Sequence, residues 1–594
     1  MTPAALSDFS QKTLKNRYLL PNESPQDLFW RVAKAYSDDQ SHAERMYGYI
    51  SQLWFMPATP ILANGGTQRG HPISCFLNET PDSLDGIVKG WNDHTWLASG
   101  GGGIGTYFGN IRSIGEPVGK NGETSGIMPF AKVTDSMTLA ISQGSLRRGS
   151  AALYLPIWHP EIEEFIDMRK PTGGDYNRRC LNLHHGVVIT DDFMKAVDSG
   201  DAWSLRSPKT DEVLRTVSAR DLWIRLLEMR VETGEPYCLF IDTVNASIPQ
   251  HHKDQGLKVS TSNLCTEIML PTGIDAAGKN RIAVCCLSSL NLEKFLEWQD
   301  HPLFLEDSLR YLDNVLQGYI DQVHGQGPES KPRSPQAAAY SASQERSVGL
   351  GVMGFHSFLQ MQGVPFESVA AKSWNKRIFS HIRRHADAIS IKLADERGPC
   401  PDAQRSGVHE RFSNKLAIAP TASISIICNS ASPGIEPLVA NAFTQKTLSG
   451  SFPVYNPHLV RLMEKKGLDI DDMLQSIAQN SGSIAHLSDF SDLEKAIYKT
   501  AFEINQMWLI DLAAQRQPYI CQGQSLNLFI HSNEHKKVLH HLHYAAWKKG
   551  VKSLYYLRSQ SLQRAETEAS FEASRTANQS TDLPLKYDEC LSCQ

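Results

Sequence analysis

Ser262-Asn263-Leu264-Cys265-Thr266-Glu267-Ile268 leads through a Pro/Gly/Asp-containing loop, Pro271 to Asn280, into Arg281-Ile282-Ala283-Val284-Cys285-Cys286-Leu287-Ser288-Ser289-Leu290-Asn291-Leu292. Cys265 and Glu267 stand at i and i+2. On an extended segment that spacing points a thiol and a carboxylate the same way, and Asn263 with them. A sulfur, a base and an amide aimed at one point suit chemistry on a bound substrate. The same residues also suit a short strand with a buried cysteine, since cysteine is often a small core hydrophobe. Spacing alone leaves both readings open.

The chain around this stretch has 594 residues, enough for one large core with satellites or for several domains. Its 41% hydrophobic and 21% charged content is ordinary for a globular protein. A formal net charge of −5 argues against nucleic acid as a partner. No apolar run reaches the ~18 residues of a membrane span. The first residues lack the basic and apolar regions of a signal peptide, so the cytoplasm is the expected compartment. Eleven cysteines without dense regular spacing do not suggest a secreted disulfide scaffold.

Residues 1–60 read as helical: Ser24-Pro25-Gln26-Asp27 is an N-cap with proline at the first helical position, followed by apolar residues at helical spacing. Met56-Pro57-Ala58-Thr59-Pro60 and Pro72-Ile73-Ser74-Cys75-Phe76 come next, and Asp82-Ser83-Leu84-Asp85 opens a helix. Gly100 to Gly105 spells G-x-G-x-x-G. His94 to Ala98 before it reads as a helix end rather than a strand, which rejects a dinucleotide site and favours a turn against a nucleotide or a close backbone. Ser142-Gln143-Gly144-Ser145-Leu146-Arg147-Arg148-Gly149 is a flexible loop with two cations. Residues 150–260 show no chemical cluster. Residues 340–395 read as helical around a strand-like Gly349 to Gly354. In Ala419-Pro420-Thr421-Ala422-Ser423-Ile424-Ser425, hydroxyls and free N–H groups at a helix start suit an anion, or an ordinary cap. Ser491-Asp492-Leu493-Glu494 is a capping box whose helix is expected to end before Pro518. A helix from about Glu534 to Lys549 ends at Gly550. His540, His541 and His543 lie on it and are expected to face solvent. Val551 to Leu557 reads as a strand on which Tyr555 and Tyr556 point to opposite faces. Beyond Arg558 the apolar periodicity stops, and a Ser/Glu/Thr/Ala-rich tail ends in Cys590-Leu591-Ser592-Cys593-Gln594. No second Cys/His pair accompanies that C-x-x-C, so no metal site is assigned. A flexible segment of ~30 residues spans roughly 30 Å, a long leash for the terminal dithiol.

Asn263-x-Cys265-x-Glu267 followed by a strand carrying Cys285 resembles the finger loop of the ribonucleotide reductase large subunit. Further segments match in the family's order. They are Arg17-Tyr18-Leu19-Leu20-Pro21, the Cys75 segment, Ala419 to Ser425 with Gly434-Ile435-Glu436-Pro437 behind it, Tyr555-Tyr556, and the terminal C-x-x-C. The first of these comes so early that no room precedes it for the ATP-cone many relatives carry.

The resemblance implies an α/β fold: a helical N-terminal region at 1–60, a ten-stranded barrel at 61–558 with Cys265 on its internal finger loop, and a flexible tail at 559–594. It implies radical reduction of ribonucleoside diphosphates to 2′-deoxyribonucleotides. Cys265 carries the thiyl radical, Glu267 is the base, and Asn263 binds substrate. Cys75 and Cys285 reduce the substrate, and Cys590 and Cys593 reset them. Tyr555 and Tyr556 relay the radical. Cys286 lies beside Cys285 on the opposite face, and the match favours Cys285. Thr59, Ser74, Pro420, Thr421, Ala422 and Ser423 bind substrate, the last four at its phosphates. Asp82, Arg112, Gln143 and Arg147 serve a specificity effector, while Arg148 stands where relatives usually have glycine. By the same resemblance, no cofactor is expected to be held permanently in this chain. The radical comes from a dimetal small (beta) subunit, and the effectors are deoxynucleoside triphosphates or ATP with Mg. A homodimer and a thioredoxin or glutaredoxin are the other expected partners. Two alternatives stand beside this: an adenosylcobalamin-dependent reductase of the same fold, and a non-catalytic nucleotide- or zinc-binding protein.

Overall fold

The computed structural model describes residues 2–559 apart from 121, 142, 144–148, 172, 326–333, 448, 449 and 532. Arg147, Arg148, Cys590 and Cys593 therefore lie outside the described residues.

Local chemistry starts the chain as expected. Ser24 accepts the Asp27 N–H while Asp27 accepts the Ser24 N–H, a capping box that opens the helix Pro25–Ala35 with Pro25 in its first turn. Helices Asp8–Arg17 and Gln40–Ser51 flank it. The stretch read as helical to residue 60 also holds a short strand, Phe55–Pro57, which pairs antiparallel with residues 288–290.

Five parallel strands form one half of a barrel: β1 (Cys75–Glu79), β2 (Gly103–Tyr107), β3 (Ala151–Pro156), β4 (His184–Ile189) and β5 (Tyr237–Phe240). Parallel neighbours need crossovers, and the helices Leu84–Ser99 and Met128–Ala140 supply the first two. The other half begins with β6 (Ala283–Cys285), which runs on as β7 (Leu287–Asn291), and continues with β8 (Gly349–Met353). Leu350 bridges Leu416 and Ile418 bridges Gln524, both parallel, so residues 415–418 and 522–526 are its next staves. The last is β9 (Ser553–Leu554), joined through the Tyr555 N–H to the Leu526 carbonyl at 2.9 Å. Antiparallel pairing of β6 with β1 and of β9 with β5 closes the ring. With β6 and β7 as one stave, the expected barrel of ten strands is present.

Alternation sorts the side chains between two layers. Ala152, Tyr154, Val188, Tyr237 and Leu239 point inward and pack with Leu264, Cys265, Met269, Tyr555 and Tyr556. Ala151, Leu153, Val187 and Phe240 point outward into the main core beneath the helices. The barrel interior is thus filled by its own loop. Arg281, at the loop's return, is buried against Asp402 at 2.7 and 2.9 Å. Losing one partner of such a pair costs about 3–5 kcal/mol.

Helices Gln336–Glu345, Phe355–Met361 and Val369–Arg397 surround β8 as read from sequence. The Ser491 capping box is present but starts a short helix, Asp492–Ile497; a second, Gln506–Arg516, begins at a new cap, Asn505. The helix Lys536–Lys548 ends before Gly550, which sits at φ +75° as its C-cap role requires. The expectation that its three histidines face solvent fails for His543, which is buried, accepts from the Arg230 Nε–H at 2.9 Å and sits 2.7 Å from the Leu539 carbonyl. His540 accepts the Trp223 indole N–H at 3.0 Å. Among the described residues no helix is long and apolar enough to cross a membrane.

Candidate active site

The loop carrying Cys265 is not extended. Residues 264–266 form a turn, and Thr266 sits at φ +62°, a left-handed conformation costly for a β-branched residue. Spacing at i and i+2 is therefore not what gathers the site. Asn263 does more of that work: its Oδ1 accepts the N–H groups of Glu267 at 3.1 Å and Ile268 at 3.2 Å, folding the tip back on itself. Tyr154 on β3 donates its hydroxyl to the Asn263 carbonyl at 2.6 Å. Ser553 holds the Thr266 carbonyl at 2.8 Å, and Ser525 holds that of Cys265 at 2.6 Å. Two glycines give the loop its path. A Cβ on Gly105 would lie 2.0 Å from the Ser262 carbonyl, and Gly523 donates to the Glu267 carbonyl at 2.8 Å where a Cβ would meet Thr266 O at 3.0 Å. The G-x-G-x-x-G run thus ends in a close backbone approach, as its lack of a preceding strand suggested.

Sheet closure sets the thiols. Cys75 and Cys285 are direct partners in the antiparallel β1–β6 pair. Such partners have Cα atoms ~4.5–5.5 Å apart, within the span of a disulfide. The Asn263 Nδ2–H reaches Cys75 Sγ at 3.4 Å, so the loop touches this pair. Burial pushes the Cys285 thiol well up, and Cys75 beside it adds to the effect. Cys286 faces the other way, its thiol 3.6 Å from the Leu312 carbonyl of an outer helix. Glu267 is fully buried; burial and the neighbouring Cys75 push its carboxyl up to about 8, while Ser525 donates to Oε2 at 3.2 Å.

Tyr555 and Tyr556 do not occupy opposite faces. The strand breaks between Leu554 and Leu557, and the two rings lie 4.2 Å apart between centroids, inclined at 47°. The Tyr555 hydroxyl is 3.7 Å from Cys265 Sγ. Tyr237 packs on both rings at 4.9 and 5.2 Å. Arg230, buried, donates to the Tyr555 carbonyl at 2.9 Å and fixes the break.

Around this centre, Ser74 is buried with an Oγ that has no hydrogen-bond partner among the described residues, as a group awaiting a ligand would be. Thr59 contacts the Tyr18 hydroxyl at 3.1 Å. Thr421 is left-handed (φ +58°) and accepts the Gly434 N–H at 2.7 Å; Ala422 begins the short helix Ala422–Ile427, and Ser423 accepts from Arg17 at 3.2 Å. Pro420 precedes the turn, half-buried. On the outer side Arg112 forms a two-pronged pair with Asp82, 2.9 Å from Nε and 2.8 Å from Nη2. Gln143 is buried, donating to Asn64 at 3.0 Å.

Residues 150–260, read as lacking a chemical cluster, in fact hold one. His184, His185 and Arg169 surround Glu235, and His184 touches Tyr556. Ser525, Tyr154 and Tyr237 join the centre as well. No local pattern marks them, because each acquires its role from a strand-to-strand contact.

A model of the ribonucleotide reductase barrel domain matches residues 73–411 and 404–557, and one of the family's all-alpha domain matches residues 4–70. The chain is 42% identical to a protein of Frog virus 3 (isolate Goorha) over 96% of this chain and 95% of that one. It is 38% identical to the ribonucleoside-diphosphate reductase large subunit of Invertebrate iridescent virus 3, over 92% and 93%. Among solved structures it is similar to the Actinobacillus ureae class Id ribonucleotide reductase alpha subunit, with a TM-score of 0.81 and 32% identity, covering 94% of this chain and 99% of that one.

Proposed function

Because this chain belongs to the ribonucleotide reductase large-subunit family, we propose that its barrel reduces ribonucleoside diphosphates with Cys265, Glu267, Asn263, Cys75 and Cys285 as the reacting set. One observation carries the assignment: the loop tip places Asn263 on Cys75, and Cys75 faces Cys285 across a sheet seam that closes only in three dimensions.

Each group does one thing. Cys265, as a thiyl radical, takes the 3′ hydrogen of the ribose and becomes a thiol. Glu267 takes the 3′-hydroxyl proton as general base, steadied by Ser525. The 2′-hydroxyl leaves as water with a proton from the Cys75/Cys285 pair. That pair gives up two hydrogens in all and ends as a disulfide. Glu267 returns its proton to the 3′ oxygen, and Cys265 returns its hydrogen to C3′ and is a thiyl again. The closed barrel keeps water and stray reductants from the radical. Thr59 and the orphaned Ser74 hydroxyl bind the substrate, with Pro420, Thr421, Ala422 and Ser423 at its phosphates. Cys590 and Cys593 reduce the Cys75–Cys285 disulfide and pass the oxidation to a thioredoxin or glutaredoxin.

The radical enters from a small subunit through Tyr556 and Tyr555, whose rings lie in contact and end at the Cys265 sulfur. A deoxynucleoside triphosphate or ATP, with Mg, occupies the outer site. There Arg112 exchanges Asp82 for phosphate, and Gln143 and Arg147 connect that site to the barrel. Leu84, Val88, Val133 and Leu139 stand exposed on the helices Leu84–Ser99 and Met128–Ala140, which fits a second copy of the chain. Light scattering with and without effector checks that assembly; a monomer in both states removes it.

The test of the whole reading is CDP reduction with and without a small subunit, supplied with thioredoxin. Turnover is expected only with the small subunit. Turnover with adenosylcobalamin alone would overturn the class I reading. In the same assay the Cys590→Ser/Cys593→Ser variant is expected to complete one turnover and then stop, and unchanged thioredoxin-supported turnover would remove the tail from the mechanism.

Glu267 adds a pH signature. Its carboxyl is pushed up to about 8, so the free enzyme at neutral pH holds it mostly protonated, and only the ionised form can accept a proton. Initial rates at low substrate should therefore rise with pH through about 8. Glu267→Gln should lower kcat by ~10²–10⁴-fold and flatten that limb. A pH profile that keeps the same limb in Glu267→Gln assigns it to another group.

A further inference from the structure

Tyr556 is the outer member of the tyrosine pair, and its hydroxyl oxygen lies 3.3 Å from Nδ1 of His184. The same nitrogen lies 2.6 Å from Oε1 of Glu235. The other Glu235 oxygen takes the backbone N–H of His185 at 3.0 Å and faces its Nδ1 at 3.2 Å; Arg169 Nε stands 3.7 Å from Oε1. Glu235 is 1% exposed. Burial on its own would raise its pKa, but Arg169, His184 and His185 outweigh burial and hold the carboxyl well below the usual range. An ionised carboxylate has no proton to give, so the proton in the 2.6 Å contact belongs to His184 Nδ1. The ring carrying it is fixed on a second side, lying nearly parallel to Tyr237 (17°, centroids 6.3 Å apart). His184 meets Tyr556 edge-on, at 77° and 6.1 Å. A cation completes the surroundings: the Arg558 guanidinium lies 4.6 Å from the centre of the Tyr556 ring.

We propose that His184, oriented by Glu235, is a positioning residue of the radical relay, sharing its Nδ1–H between the Glu235 carboxylate and the Tyr556 oxygen so that Tyr556 is held in register with Tyr555 in both its phenol and radical forms. The inference rests on the relay reading above. The radical on the small subunit takes one hydrogen, electron and proton together, from the Tyr556 hydroxyl and is reduced to its closed-shell form. Tyr555 then gives its hydroxyl hydrogen to Tyr556, and Cys265 its thiol hydrogen to Tyr555. His184 keeps its own proton throughout. Its contribution is a hydrogen bond that the Tyr556 oxygen accepts before and after oxidation, which limits rotation of the ring and holds the 4.2 Å contact with Tyr555.

The test uses the complete enzyme, both subunits with CDP and effector, and 3-aminotyrosine at position 556 to trap the radical there. Pulsed electron–nuclear double resonance in D2O should show an exchangeable deuteron hydrogen-bonded to the trapped radical. In His184→Phe, which keeps an aromatic ring against Tyr237, that coupling should vanish. With tyrosine at 556, His184→Phe should lower kcat roughly tenfold or more, leaving KM for CDP and small-subunit affinity unchanged. His184→Gln, which restores an N–H donor, should recover part of the rate. Should His184→Phe fail to fold, His184→Gln and Glu235→Gln carry the measurement, the latter weakening the coupling. A radical that keeps the same deuteron coupling in His184→Phe overturns the proposal and leaves the relay standing. Absence of any radical at position 556 in the otherwise unchanged enzyme overturns the relay and the proposal with it.

Discussion

Cys265→Ser is expected to reduce dCDP formation to the background of an assay without the small subunit, a loss of at least ~10³-fold. Serine is nearly isosteric and its hydroxyl adds one polar atom to a buried site, a cost of about 1–3 kcal/mol at most. The loop is gripped by the barrel through its backbone carbonyls. Ser525 binds the Cys265 carbonyl, Ser553 binds the Thr266 carbonyl, and Gly523 binds that of Glu267. Circular dichroism and substrate affinity should therefore be unchanged. Chemistry is what fails: the O–H bond of serine is too strong for a tyrosyl radical to break, so oxidation stops at Tyr555, 3.7 Å away. Near-normal dCDP formation by a folded Cys265→Ser would remove the radical mechanism from this barrel.

Tyr555→Phe and Tyr556→Phe should each bring turnover to the same background while substrate, effector and small-subunit binding persist. Phenylalanine keeps the ring, and with it the 4.2 Å contact between the two and their packing on Tyr237. It removes the hydroxyl that can be oxidised. In the first variant the group facing Cys265 Sγ is lost; in the second, the group facing His184 Nδ1. The rings touch on one side of a broken strand rather than facing apart, and Tyr237, packed on both, offers an alternative oxidisable route. Tyr237→Phe distinguishes that route, and it is expected to retain most activity if the pair is the path. Wild-type activity in either Phe variant of the pair takes that residue off the path.

How far the sequence carried the reading follows from the reach of each interaction. Ser24 with Asp27, Ser491 with Glu494, and Gly550 behind Lys548 are contacts within a few residues, so the residues that make them stand together in the chain and their structures could be read directly. The family's motifs likewise carried the barrel and its finger loop. Several local expectations fail because a distant partner overrides a local preference. The i, i+2 spacing predicts an extended loop, but the Asn263 side chain and the carbonyl grips from Ser525 and Ser553 bend it. Strand alternation predicts Tyr555 and Tyr556 on opposite faces, but Arg230 holds the Tyr555 carbonyl where the strand breaks. Helix spacing predicts His543 in solvent, but Arg230 and Trp223 of a neighbouring helix bury it.

By itself the sequence determined which residue types are available for chemistry, a thiol, a carboxylate and an amide within five positions, and where helices begin and end. Only the tertiary structure decided which of Cys285 and Cys286 meets Cys75, since that is a matter of strand register across the seam that closes the barrel. It alone brought Glu235 and His184, 51 residues apart in the chain, to Tyr556 from 372 residues beyond His184. Capping and turn preferences act over a few bonds and are written in adjacent residues. The closing of a ten-strand ring pairs the ends of the chain's two halves, and side-chain contacts made across it exist only once the ring is complete.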